Sequence, residues 1–160
     1  EVDFVQVPKL KDVKSIVLLT EPGESYKGQG AKSLIDLNKG TLNFREPVWM
    51  GFSGEDVEIK IDFEKPRKIK KVVLSTMADH GAWIFLPAQI EVKTQNGLFT
   101  ADFEAPEFEG PKRLEYLVVK LDQTETSNLH IVIKNLDVLP EWHPGAGGKP
   151  WLFIDEIVIK

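Results

Sequence analysis

Apolar and polar positions alternate along much of this chain at a period of two. The clearest case is Asp56-Val57-Glu58-Ile59-Lys60-Ile61-Asp62-Phe63, which puts Val57, Ile59, Ile61 and Phe63 on one face and predicts a half-buried strand. Ser15–Thr20 predicts an earlier strand, stopped by Glu21-Pro22-Gly23. After a turn at Glu64-Lys65-Pro66, Ile69–Met77 predicts another, and Pro87–Thr94 one more with Ile90 and Val92 inward. Asn96-Gly97 is the strongest hairpin signal and leads into Leu98–Phe103. Leu114–Leu121, Leu129–Ile133 and Trp151–Lys160 complete a set of about eight short strands, with no convincing amphipathic helix between them. That spacing describes an all-β sandwich, while strand order lies beyond what periodicity can give.

Composition narrows the classes. At 160 residues the length prior gives one domain with a substantial core. Residues 1–12, with Pro8 and lysines, read as a linker or edge segment, and 13–160 as the sandwich. Ten prolines and twelve glycines favour short strands and turns over long helices. A formal net charge of −5 with scattered acids argues against nucleic acid, which needs a concentrated basic face. With no cysteine there is neither thiol catalysis nor a disulfide argument about compartment. No apolar run approaches the roughly 18 residues of a membrane span, and the Glu-Val-Asp-Phe start has no signal-peptide pattern, so membrane insertion is not expected and the chain reads as a mature product or an excised domain.

Two distant stretches carry candidate chemistry. Ser33, Asp36, Asn38 and Thr41 place oxygen-bearing residues in a turn-rich segment. Near the end of the chain, Asp155-Glu156 interrupts an apolar run that should be a buried strand. A carboxylate there costs several kcal/mol, on the order of 3 or more, unless something neutralises it, and a hard cation held by oxygens would do so.

These residues resemble the discoidin, or coagulation-factor type C, domains and their carbohydrate-binding relatives, together the galactose-binding-like fold. In that family an early loop reading about A-[LIV]-D-G-N-x-x-T and a late A-E-[LIV] pair close around calcium. The resemblance implies a jelly-roll β-sandwich and a structural calcium ion held by the Ser33 carbonyl, Asp36, Asn38, Thr41, the Asp155 carbonyl and Glu156. One position departs from the pattern: Leu37 stands where glycine usually follows the aspartate, so a turn needing positive φ would be strained there.

Three aromatic-rich loops, at 44–52, 79–87 and 141–151, suit sugars, because tryptophan offers a broad apolar face to C–H groups and an N–H to hydroxyls. The competing reading is that the tryptophans plug the ends of the sandwich. The sequences W-x-G-F-x-G at 49–54, D-x-G-x-W-I-F-L-P at 79–87 and W-H-P-G-A-G-G-K-x-W-L-F-x-D-E-I at 142–157 resemble C-terminal discoidin-like modules of bacterial glycoside hydrolases, notably β-N-acetylhexosaminidase-like enzymes. This implies a non-catalytic accessory module of an extracytoplasmic, glycan-degrading protein, its partners a glycan and a catalytic domain of the same polypeptide.

The expected sugar contacts are stacking on Trp49 or Trp142, with Arg45, His80 and His143 meeting hydroxyls. Trp83, between Ala82 and Ile84-Phe85-Leu86, is expected to be buried. The alternative is a domain that packs on its own enzyme and binds no sugar. Other chemistry finds less support. His80 and His143 lack zinc spacing such as H-E-x-x-H. Gly145-Ala146-Gly147-Gly148-Lys149 lacks the flanks of a phosphate loop and reads as a flexible or tightly turned loop that lets backbone pass close to another element. The many acids alternate with apolar residues, as Glu58 and Asp62 do, and read as a solvated face rather than a glycosidase pair. His130, opposite in facing to Leu129 and Ile131, reads as solvated or hydrogen-bonded.

Overall fold

A computed structural model describes residues 12–160; the expected linker at 1–12 lies almost wholly outside them. The strands are β1 (Val13–Leu18), β2 (Met50–Ser53), β3 (Val57–Ala78), β4 (Gln89–Thr94), β5 (Gly97–Asp102), β6 (Arg113–Lys134) and β7 (Trp151–Ile159). Every pairing between them is antiparallel, in the order β2-β7-β3-β6-β4-β5, with β1 also on β3.

The long β3 and β6 build both layers. Their Val57–Asp62 and Asn128–Ile133 halves pair with each other and carry β1 on one side and the β4–β5 hairpin on the other. Their Lys71–Ala78 and Arg113–Lys120 halves carry β7 and then β2. Between the halves the ladder breaks twice, from Asp62 to Arg67 and from Ile69 to Lys71. Here the expected turn at Glu64-Lys65-Pro66 is instead a bend. Pro66 has no N–H to give the ladder, and the strand bulges past Ser127 and continues into the second layer. Opposite Lys70, Asp122 and Gln123 adopt φ of 52° and 60° and bend β6 to match. Two pairs of expected strands are thus two continuous ones.

The core between the layers holds Val57, Ile59, Ile61 and Phe63 on the predicted face of β3, with Ile90, Val92, Leu129, Ile131, Leu152, Ile154, Ile157 and Ile159. The hairpin differs by one residue from expectation: Thr94 pairs with Gly97, so the loop proper is Gln95-Asn96. β2 lies in a stretch read only as an aromatic loop. Among the described residues no helix is long and apolar enough to cross a membrane.

Candidate functional site

The acids of β7 occupy a β-bulge. Ser75 pairs with Glu156 but its neighbour Thr76 pairs with Ile154, leaving Asp155 as an extra residue. Before the bulge the core takes Leu152 and Ile154; after it, Ile157 and Ile159. The change of phase turns both Asp155 and Glu156 to the outer side of the sheet, against residues 36–40. There Leu37 N–H donates to Glu156 Oε2 at 2.9 Å and Gly40 N–H to Asp155 Oδ2 at 2.7 Å. Residues 120 or so apart in sequence are joined by these two bonds. The loop is entered through a short 3-10 turn, Ala31–Ile35, that packs on β7. Leu37 adopts φ 65°, the left-handed conformation that glycine would take more easily.

Both carboxyls are fully buried. Burial pushes Glu156 up to about 9, reinforced by the charges of Asp36 and Asp155 and opposed by the Leu37 amide. Burial also raises Asp155, against the Ser75 hydroxyl, the Gly40 amide and Lys39. The Ser75 hydroxyl is close enough to act on Asp155 yet outside hydrogen-bond geometry. Asp155 Oδ1, Glu156 Oε1 and Ser75 Oγ are therefore buried without a hydrogen-bond partner.

The remaining expected ligands surround this pair unevenly. Asp36 lies close enough to Glu156 for its charge to be felt, and it accepts bonds from Asn38 N–H and Nδ2 at 2.8 and 3.1 Å. Thr41 N–H and Oγ1 both go to Glu46, which holds that exposed carboxyl below its usual range. Ser33 Oγ donates to the Gly30 carbonyl. Among the described residues no three acidic, histidine or cysteine side chains converge as a metal cluster. The donor set nonetheless fits a hard cation, because orphaned buried carboxylate oxygens beside a second acid are what an oxygen-seeking ion neutralises.

The expected sugar contacts are placed differently. Trp49 is 1% exposed, packs with Met77, Ile84 and Phe153, and donates Nε1–H to the Thr41 carbonyl at 2.9 Å. It offers no face to a sugar. Gly40 permits this, since a Cβ there would lie 2.2 Å from the indole nitrogen.

His80 and His143 are both buried. His143 Nδ1 accepts from Gly145 N–H, leaving Nε2–H to donate to the His80 carbonyl at 2.6 Å, and His80 Nδ1 accepts from Gly110 N–H at 3.0 Å. Burial and the Arg113 charge hold His80 below its usual range. Half-buried Trp142 donates Nε1–H to the Pro106 carbonyl. His80 stacks on Phe85 at 4.3 Å, and Trp142 and His143 complete the cluster. These residues knit three loops together with groups that hydroxyl recognition would need. The zinc pair fails for the same reason.

Trp83 reverses the expectation of burial: it is 40% exposed. It sits at φ 67° after the His80–Ala82 turn, its ring laid on Gly145 and Gly148, where a Cβ would come within 2.4 and 3.0 Å of it. This close approach is the role read for the 145–149 turn. Arg45 is exposed and lines a shallow groove of about 600 Å³ with Gly40–Phe44, Lys112 and Leu114, which none of His80, Trp142 or His143 reaches. His130 Nε2 meets Glu58 Oε2 at 3.0 Å on the outer sheet face, as expected.

No family model matches the chain, and no curated protein matches it significantly. Solved structures do. The lectin domain of lectinolysin complexed with Lewis B antigen superposes with TM-score 0.59 at 12% identity, covering 96% of each chain. A Streptococcus pneumoniae fucose-binding module gives 0.57 at 12%, covering 95% of each. CBM32-3 from a family 31 glycoside hydrolase of Clostridium perfringens gives 0.56 at 13%, covering 95% of this chain and 92% of that one. Over most of its length the chain thus shares the fold of these structures, an all-β, galactose-binding-like sandwich.

Proposed function

We propose that this chain is a non-catalytic carbohydrate-binding module of an extracytoplasmic, glycan-degrading bacterial protein, with a structural calcium ion under the 33–41 loop. The observation that carries the sugar reading is Trp83. It is a tryptophan held at a loop end by two glycines and an αL backbone, the residue 40% exposed, on a fold whose neighbours include a fucose-binding module and a lectin domain. A strained backbone that presents a large apolar ring to solvent is a feature of function more than of stability. A sugar's C–H face would stack there. One such contact binds weakly, and retention would depend on tethering to a catalytic domain or on several modules acting together.

Calcium would be held by the Asp36 and Glu156 carboxylates, with Asn38, Thr41 and the Ser33 and Asp155 carbonyls completing an oxygen set. When bound it supplies positive charge beside two buried acids and fixes the loop to β7. The orphaned Glu156 Oε1 supports this.

The test for the sugar reading is a glycan array probed with the wild-type chain and with Trp83→Ala. Binding that falls at least tenfold in the variant, at unchanged melting temperature, is the expected result. Undiminished binding rules out Trp83 as the platform. A second reading, a domain that packs on its parent enzyme, draws on Phe108, 74% exposed on the loop that Trp142 anchors. Silence across the array, with Phe108→Ser weakening association with the parent catalytic domain, would favour it.

A further inference from the structure

The groove at residues 40–45 differs in chemistry from other grooves of the surface. Its floor is apolar, made by Leu42, Phe44 and Leu114, and its only charged lining residues are the cations Arg45 and Lys112. Three other surface grooves each include carboxylates: Asp62 in one, Glu21 and Glu24 in the next, and Asp56, Asp102 and Asp137 in the third. In a chain of net charge −5, a groove lined only by positive charge is a local inversion.

The hydrogen-bonding groups around it are also one-sided. Thr41 N–H and Oγ1 are taken by Glu46, its carbonyl by Trp49, and Asn43 Oδ1 by the Arg45 amide. Thr41 has thus spent its two donors on Glu46, and the Thr41 carbonyl and Asn43 Oδ1 acceptors are occupied as well, which leaves the two cationic side chains to meet a ligand. Among the described residues the Arg45 guanidinium forms no ion pair; it lies 4.6 Å over the Phe44 ring, which steers the planar fork while leaving its N–H edges free. Lys112 is only loosely held, 3.5 Å from Asp79 with its side chain about half exposed.

We infer that this groove binds a carboxylate-bearing sugar, a uronate or a sialate, with the carboxylate forked on Arg45, Lys112 adding charge, and the ring's C–H face against Leu42 and Leu114. The inference rests on reading the chain as a sugar-binding module and assigns it a ligand class at a position separate from Trp83. A planar carboxylate matches the guanidinium fork in a way that a neutral hydroxyl does not. The groove is shallow, so the charge term falls as salt rises.

Calorimetric titration of the full chain tests it, using tri-galacturonic acid, its methyl ester, 3′-sialyllactose and lactose. At low salt at least one of the two acids should bind tenfold or more tightly than its neutral counterpart. That preference should fall at least tenfold in Arg45→Gln and less in Lys112→Gln, and shrink in 0.5 M sodium chloride, where the Debye length is about 4 Å against about 30 Å at 0.01 M. Both side chains are surface groups, and unchanged melting curves would confirm that the variants fold. Whichever acid binds identifies the source of the carboxylate. Equal binding of acids and neutral sugars, or an acid preference indifferent to both substitutions, overturns the inference and leaves the sugar-binding reading standing. Equally tight, Arg45-dependent binding of 3′-sulfated lactose overturns the carboxylate assignment, since charge alone would then be read. Failure of every sugar, neutral and acidic, overturns both.

Discussion

Leu37 spends its backbone in the left-handed region, at φ 65°, so that its amide can reach Glu156. For a residue with a Cβ that costs about 1–2 kcal/mol. Its side chain offsets part of this by packing on Val73 and Val158, outside the main core. The two contributions separate by mutation. Leu37→Ala loses the packing and keeps the strain, whereas Leu37→Gly loses both. Glycine, ordinarily the worse substitute by roughly 0.5–1 kcal/mol, should therefore be the more stable of the two by about 1 kcal/mol in urea denaturation. The reverse order would mean that the loop does not take this turn. The glycine missing from the expected motif was a legible warning in the sequence, and the fold answers it with strain rather than with a different loop.

At the scale of elements, the partition between core and surface was legible wherever alternation ran unbroken, as at Val57–Phe63. What alternation could not convey was continuity. Pro66 and the polar residues around it look the same in a turn and in a bend between layers, so β3 and β6 each read as two strands. β2 was hidden because Met50, Gly51 and Phe52 are all buried and leave no polar phase to see. The bulge in β7 did leave a mark: Leu152 and Ile154 keep one parity, Ile157 and Ile159 the other, with the two acids at the switch. Glycines at close approaches give a direct test of these contacts. Gly40→Ala would drive a Cβ to 2.2 Å from Trp49 Nε1 and strain the bond to Asp155 on the same loop. We expect a loss of about 1–3 kcal/mol, read from chemical denaturation together with a red shift of tryptophan emission as Trp49 loosens. A silent substitution would place Trp49 elsewhere.

For the whole molecule, the sandwich followed from alternation, and the meeting of residues 33–41 with Asp155-Glu156 from the resemblance that those residues carry. The sugar contacts did not, because tryptophan and histidine serve equally well to seal loops and to meet a ligand. Only hydrogen-bond partners separate the two uses, and His143 and Trp49 have theirs inside the protein.

The buried acids also make stability depend on pH and, through the calcium proposed above, on cations. With Glu156 raised from 4.5 to about 9, the folded chain without calcium keeps a proton that the unfolded chain releases. Stability is then greatest below about pH 4.5 for this group and declines as pH rises toward 9; Asp155, also raised, adds in the same direction. In EDTA the melting temperature should fall across that window, and Glu156→Gln should flatten the fall. Calcium at a hundredfold excess over its dissociation constant adds about 2.7 kcal/mol, or roughly 5–10 °C for a domain of this size. It should do so in the wild type at pH 8 and not in Glu156→Gln. Identical melting curves with and without chelator, and no metal by elemental analysis, would leave the acids to their protons.

The bulge has a consequence for how such a cradle can be gained or lost over generations. One codon fewer at position 155 would remove the extra residue and leave plain alternation along the last strand. Such a deletion would keep Ile154, Ile157 and Ile159 on the core side and Glu156 outside, and would take away one acid together with its bond to Gly40. The second acid is therefore separable from the core: shortening the strand by that one residue takes the acid and the bulge together, whereas a point substitution takes the acid and leaves the bulge.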